Sequence, residues 1–220
     1  EIVGCDWSSD VCSSDLSKRL GAALTRLVDA KAADELVSGL AQRRTAVWVE
    51  SLGGMPISFA DLRAQAANAH ELGLPLVVEN SLATSFGCPA CRLGADVVVE
   101  QLARVWPEGT GRCVALSASK ACPSDLRVAL AALPSAVLDD TAVTSLVAAL
   151  AAFPARRRRE DDAAQVVAAY LSCHPLVVAV SYPGLKANPS FRAATSQLAG
   201  GFGPVVDYRV RGAAAWERVR

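Results

Sequence analysis

Two short apolar runs, residues 74–78 (LPLVV) and 97–99 (VVV), restrict what this chain can fold into more than anything else in it. Neither alternates with polar residues, and each is flanked by turn formers. Runs of that length and pattern suit strands buried on both faces of a parallel sheet. In an open α/β sheet, ligands bind beyond the carboxyl ends of the strands. A site is therefore expected at Glu79-Asn80-Ser81, after the first run, and from Glu100 to Arg104, after the second.

The flanking sequence supplies the rest of such a sheet. Residues 25–29 read as a strand ending at Asp29, residues 32–41 as a helix with Leu36, Val37 and Leu40 on one side, and residues 45–50 as a strand followed by a turn at 51–54. Residues 59–72 carry Leu62, Ala66, Ala69 and Leu72 at helical intervals, with Gly73 as the terminating glycine. Strand and helix alternate in units of about 30 residues, which implies right-handed crossovers and a parallel sheet. Residues 113–117 predict a further strand, and residues 126–133 either a strand or a connecting segment. Residues 141–171 are largely helical, with a break expected at Pro154. Strand 177–180, helix 189–198 and strand 205–210 then form a new pattern. This places a boundary near residue 140, with an α/β domain over 17–140 and a connecting helix and smaller α+β domain over 141–220.

Residues 1–16 stand apart. EIVGCDWSSDVCSSDL contains a near-repeat with neither helical nor strand period and resembles translated sequencing-adapter DNA, so it is set aside as a non-native scar, the alternative being a disordered polar terminus. Lysine plus arginine and aspartate plus glutamate both number 22, which leaves no net basic field to attract nucleic acid or an anionic membrane. No apolar run reaches the roughly 18–20 residues that span a bilayer, and the start has no signal-peptide pattern. Seven cysteines, an odd number, fit a reduced, cytoplasmic setting.

The core stretch also resembles a known family, the Cys/Met-metabolism group of pyridoxal phosphate (PLP)-dependent enzymes, which includes cystathionine synthases and lyases, methionine γ-lyase and O-acetylhomoserine sulfhydrylase. Its pattern is an Asp-Asn-Thr triplet after a strand, a Pro, a Gly-Ala-Asp, and a second strand running into Ser-x-Thr-Lys. Here the positions read Glu79-Asn80-Ser81, Pro89, and Gly94-Ala95-Asp96. His174-Pro175-Leu176-Val177, Tyr182-Pro183-Gly184-Leu185 and Gly201-Phe202-Gly203 match the start of the family's small domain. The resemblance implies an incomplete aspartate-aminotransferase-like large domain of PLP fold type I plus the beginning of the small C-terminal domain, the middle of a protein nearly twice as long. It also implies elimination or replacement at the β or γ carbon of a sulfur amino acid or an O-acyl-homoserine, and homo-oligomers that build sites across a dimer interface.

PLP chemistry needs a Schiff-base lysine, an acid on the pyridine nitrogen, and donors for the phosphate. By resemblance the acid falls on Glu79, one methylene longer than aspartate and so about 1.5 Å further out. The lysine position, 25 residues on, falls on Arg104, which stays protonated and cannot form an aldimine. The phosphate-binding hydroxyls correspond to Gln101 and Ala103, the triplet threonine to Ser81, and the asparagine that meets the ring hydroxyl to Gly54. The expectation is a member of this family whose chemistry is impaired, the alternative being a non-catalytic paralogue that pairs with an active relative. Ser117-Ala118-Ser119-Lys120 mimics the lysine motif, but the register through Gly94-Ala95-Asp96 argues for a surface turn there.

Three other patterns are weighed on the residues alone. Cys88-Pro89-Ala90-Cys91 is a C-x-x-C, open to zinc or redox use or to two ordinary buried cysteines; no metal site is assigned. Arg156–Arg159 is followed at once by Glu160-Asp161-Asp162, so Arg157–Asp161 and Arg158–Asp162 read as i,i+4 pairs on a solvated helix face. His70 and His174 read as structural.

Overall fold

The computed structural model describes residues 15–43, 45–111 and 113–220. Most of the segment set aside as a scar lies outside them. Of its last two residues, both helical, Leu16 is buried and packs with Leu27, Val105 and Trp106.

Strand β1 (Leu24–Asp29) opens the fold. The Asp29 carboxylate accepts the N–H groups of Lys31 and Ala32, capping helix α1 (Ala30–Arg43). Strand β2 (Val47–Glu50) follows. Residues 51–54, expected to be a plain turn, instead enter a small hairpin of β3 (Leu52–Gly53) and β4 (Ser58–Phe59). That hairpin takes Phe59 out of the expected helix, and α2 spans Leu62–Glu71. Asp61 caps α2 through the Ala64 N–H, and Gly73 ends it at φ 69°.

The two apolar runs become β5 (Leu76–Glu79) and β6 (Val97–Gln101), joined through the short helix α3 (Thr84–Gly87). Strand β7 (Cys113–Ala118) and helix α4 (Ser124–Ala132) come next, so residues 126–132 are helix and not the strand that the sequence allowed. The sheet order is β1-β7-β6-β5-β2. β2, β5 and β6 are parallel, as expected, but β7 runs antiparallel to both β6 and β1. Both faces are covered. Val78 and Val98 pack with Leu62, Ala66 and Ala69 of α2 on one side; Val77, Val97 and Val99 pack with residues of α1 and α4 on the other.

Helix α5 (Asp140–Cys173) is a single helix of 34 residues that continues through Pro154, where a break was expected. Pro154 is exposed, and the helix is held along its length by a buried stripe of Leu146, Leu150, Phe153, Arg157, Asp161, Ala164 and Ala168. Since proline deletes one helical hydrogen bond and crowds the preceding turn, Pro154→Ala is expected to raise stability by about 1–3 kcal/mol. A lower melting temperature for the variant would contradict this. Beyond α5, strands β8 (Val177–Ser181), β9 (Val206–Val210) and β10 (Glu217–Val219) form an antiparallel sheet in the order β10-β9-β8, with helix α6 (Phe191–Gln197) between β8 and β9. Ala164 and Ala168 of α5 pack against Tyr182 and Val206 of this unit. Among the described residues no helix is long and apolar enough to cross a membrane.

Candidate functional site

The parallel strands deliver their last residues to one end of the sheet, where a cleft of about 910 Å³ lies. Its floor is the carboxyl ends of β2, β5 and β6. One wall is α5, through Glu160, Ala163, Ala164 and Val167; the other is the end of the small sheet, at Val206, Arg218 and Val219. The six positions singled out from the sequence, Gly54, Glu79, Ser81, Gln101, Ala103 and Arg104, all line it.

Glu79 and Glu50 close adjacent parallel strands and are partners in register. The Glu79 carboxylate accepts the Ser81 N–H at 3.0 Å and is also met by the Ser81 hydroxyl. Burial raises its pKa, against the opposing effect of the Ser81 contacts. Ser81 Oγ in turn accepts the Gln101 N–H at 2.8 Å, tying the loop after β5 to the end of β6. Gly54 sits at φ 79° with its N–H on Glu50 Oε2. Ala103 lies in a 3-10 turn, Leu102–Arg104, and contributes only a methyl group.

Arg104 lines the cleft, and both of its terminal nitrogens donate within the protein. Nη1 donates to Leu82 O at 2.6 Å, while Nη2 donates to Glu160 Oε2 at 2.8 Å and to Asp161 Oδ1 at 3.3 Å. Arg157, one turn before Asp161 on α5, makes a 3.0 Å ion pair with it and donates to Ala199 O. The side chains of Arg157 and Asp161 are 8% and 1% exposed, so this pair is buried, not part of a solvated face. Arg158–Asp162, at 82% and 74%, is solvated as expected. Two further cations, Arg218 and Arg220, line the wall; Arg218 gives Nε and Nη2 to the two oxygens of Asp207, and its Nη2 also reaches Gly54 O. Sequence reasoning missed Glu160 and Arg218 as cleft residues, because both arrive from elements more than 50 positions from the strands whose ends they face.

Beneath the floor, Glu100 is 1% exposed and accepts the Ser85 N–H at 2.8 Å; burial pushes its carboxyl up to about 8. Asn80, fully buried, accepts the Ser51 hydroxyl and donates to Cys88 O, fixing the start of the loop that carries Ser81.

The chain has four lysines, Lys18, Lys31, Lys120 and Lys186, and none lines the cleft. Lys120 is exposed and follows β7, whose last residue pairs with Val97 at the start of β6. The reversed strand therefore leaves it at the opposite end of the sheet from Glu79. Cys88 and Cys91 are free thiols pushed up to about 12, chiefly by burial, which disfavours thiolate chemistry. Among the described residues no group of three or more metal-ligating side chains is gathered. His70 bonds the buried Asp96, which also accepts the Leu76 N–H, a structural brace between α2 and the sheet.

An α/β sheet with one reversed strand, a cleft at the carboxyl ends of its parallel strands and a small antiparallel unit closing it are the architecture of the type I fold of PLP-dependent transferases, present here in part. Comparison with known proteins agrees: the family model for Cys/Met metabolism PLP-dependent enzymes matches residues 8–219, and the chain belongs to that family. An L-methionine gamma-lyase of Fusobacterium nucleatum is 27% identical over 198 residues, covering 88% of this chain and 49% of its own length. A cystathionine gamma-synthase of Mycobacterium bovis is 29% identical over 181 residues, covering 81% and 46%. The chain thus spans about half the length of these relatives. A crystal structure of cystathionine gamma synthase from Xanthomonas oryzae pv. oryzae, in complex with aminoacrylate and cysteine, shares the fold at TM-score 0.77 and 18% identity, covering 95% of this chain and 67% of that one.

Proposed function

We propose that this chain is a member of the Cys/Met metabolism family that forms no aldimine, and that it acts as a non-catalytic partner of an active relative. The observation that carries the reading is Arg104, which stands where the resemblance puts the Schiff-base lysine and donates to Glu160, Asp161 and Leu82 O. A guanidinium stays protonated and offers no free amine to an aldehyde. The residues present do not fit pyridoxal phosphate: the cleft has no lysine, Glu79 at the acid position is already bonded to Ser81, and of its three arginines Arg104 and Arg218 face carboxylates of the protein itself. Two of the relatives are named for sulfur amino acids, methionine and cystathionine, and by resemblance the reaction class of the lineage is elimination or replacement at the β or γ carbon. This chain retains that lineage's scaffold, and the family's habit of building sites between subunits supports pairing as its use.

The test is direct. The purified chain is incubated with pyridoxal phosphate, reduced with borohydride and digested, and its lysine peptides are weighed. Unmodified peptides are expected at all four lysines; a stoichiometric pyridoxyl adduct on Lys120 or any other would overturn the proposal. Co-expression with an active family enzyme should give a mixed oligomer, and persistent separation of the two chains would remove the pairing half of the reading.

A further inference from the structure

The contact between Arg104 and Glu160 has a second meaning. Two of its features are those of an anion-binding site: a guanidinium with only 13% of its side chain exposed, lining a cleft at the carboxyl ends of the strands. Such a group is suited to bidentate recognition of carboxylate or phosphate. What lies on it is the protein's own carboxylate. Glu160 Oε2 is 2.8 Å from Arg104 Nη2, and Glu160 itself lines the cleft, with 36% of its side chain exposed. Asp161 Oδ1 makes a longer contact with the same nitrogen, but Asp161 is buried and shared with Arg157, so it belongs to the framework.

The two contacts therefore differ in kind. Asp161 neutralises a buried arginine pair, whereas Glu160 sits on the open side of Arg104, where an incoming anion would approach. Glu160 Oε1 is also 3.5 Å from Arg156 Nε, and Arg156 gives Nη2 to Arg104 O and Val105 O, which keeps the glutamate oriented from behind. The other acids near the approach, Glu79 and Glu50, touch neither Arg104 nor Arg218 through a hydrogen bond; their acceptors are turned to Ser81 and Gly54.

We propose that Arg104 is an anion site held shut by Glu160, whose carboxylate occupies the place a phosphate monoester or carboxylate ligand would take. Glu160 is thus the residue that sets the cleft's specificity against anions. The proposal concerns the same cleft as the proposed function but not the aldimine, since inorganic phosphate forms none. A lysine adduct would defeat the earlier reading and leave this one standing.

The experiment uses the whole chain and inorganic phosphate, followed by chemical shifts of the arginine side chains or by the change in melting temperature with ligand. Glu160→Gln keeps size and an acceptor for Arg104 while removing the charge. Glu79→Gln removes a charge from the same cleft without touching Arg104. Wild type is expected to bind phosphate only weakly, Glu160→Gln to gain about tenfold or more in affinity, about 1.4 kcal/mol, and Glu79→Gln to gain about twofold at most. Binding by wild type as tight as by Glu160→Gln would overturn the proposal. So would an equal gain in both variants, which would make the effect one of overall charge, or the absence of a gain in either.

Discussion

Replacement of Asp161 by alanine is expected to cost this fold about 3–5 kcal/mol, the range for breaking a buried ion pair by deleting one partner. Asp161 is 1% exposed and meets two arginines, Arg157 at 3.0 Å and Arg104 at 3.3 Å. Burial raises the pKa of Asp161 and lowers that of Arg157; in each case desolvation is the largest influence and the charged neighbour opposes it. Neither charge is comfortable there without the other. In Asp161→Ala, Arg157 keeps only Ala199 O, and Arg104 keeps Leu82 O and Glu160. Asp162→Ala provides the control, since its partner Arg158 lies 3.9 Å away on the solvated side; that change should stay within about 0.5 kcal/mol. Urea unfolding of the two variants measures the contrast, and equal midpoints would show that the buried pair contributes no more than the exposed one.

Stability should also fall as pH rises through the neutral range, and Glu100 sets the window. Its carboxyl has an ordinary value of 4.5 but is held at about 8 in the folded chain, first by desolvation and further by the charge of Glu79, against the Ser85 contacts and Arg104. Below about 4.5 both folded and unfolded chains carry the proton, and the stability tied to it is fully present. Between 4.5 and about 8 the unfolded chain releases the proton and the folded chain keeps it. Each pH unit then removes up to about 1.4 kcal/mol, and above about 8 the loss levels off. Glu100→Gln, which mimics the protonated form, should flatten this slope. Glu79, also raised, contributes to the same slope and is separated by Glu79→Gln. Wild type and Glu100→Gln losing stability in parallel between about pH 5 and about pH 8 would rule Glu100 out as the cause.

Both predictions concern features that a reading of the sequence reached unevenly. β5 and β6 were legible because unbroken valine runs have few other uses, and the cleft was legible because it follows from where those strands end. The reversal of β7 was not, since periodicity carries no direction. A signal did exist: only residues 102–112 separate β6 from β7, less than the dozen or more that a parallel crossover needs. The β3–β4 hairpin escaped because two-residue strands have no period to detect. Pro154 misled because proline stops a helix by default, whereas here its exposed position leaves the buried stripe from Leu146 to Ala168 uninterrupted. The Arg157–Asp161 pair was misread because i,i+4 spacing is the same in water and in a core; what decides is that both residues continue the stripe begun by Leu150 and Phe153. Arg104 was reached through the strand ends and the family resemblance, but its partner Glu160 lies 56 residues away, and no local pattern links the two.

On the proposed reading, a lysine placed at position 104 would not by itself supply the free amine that attack on an aldehyde needs. An amine placed between Glu160 and Asp161 would be held in its ammonium form by two adjacent carboxylates, while attack on an aldehyde needs the free base. Those carboxylates would have to change as well, yet removing Asp161 first strips Arg157 of its counter-charge and weakens the seating of α5. Through Glu160 and Asp161 the residue at position 104 is thus tied to the seating of α5, so a replacement there is felt by the helix as well as by the cleft.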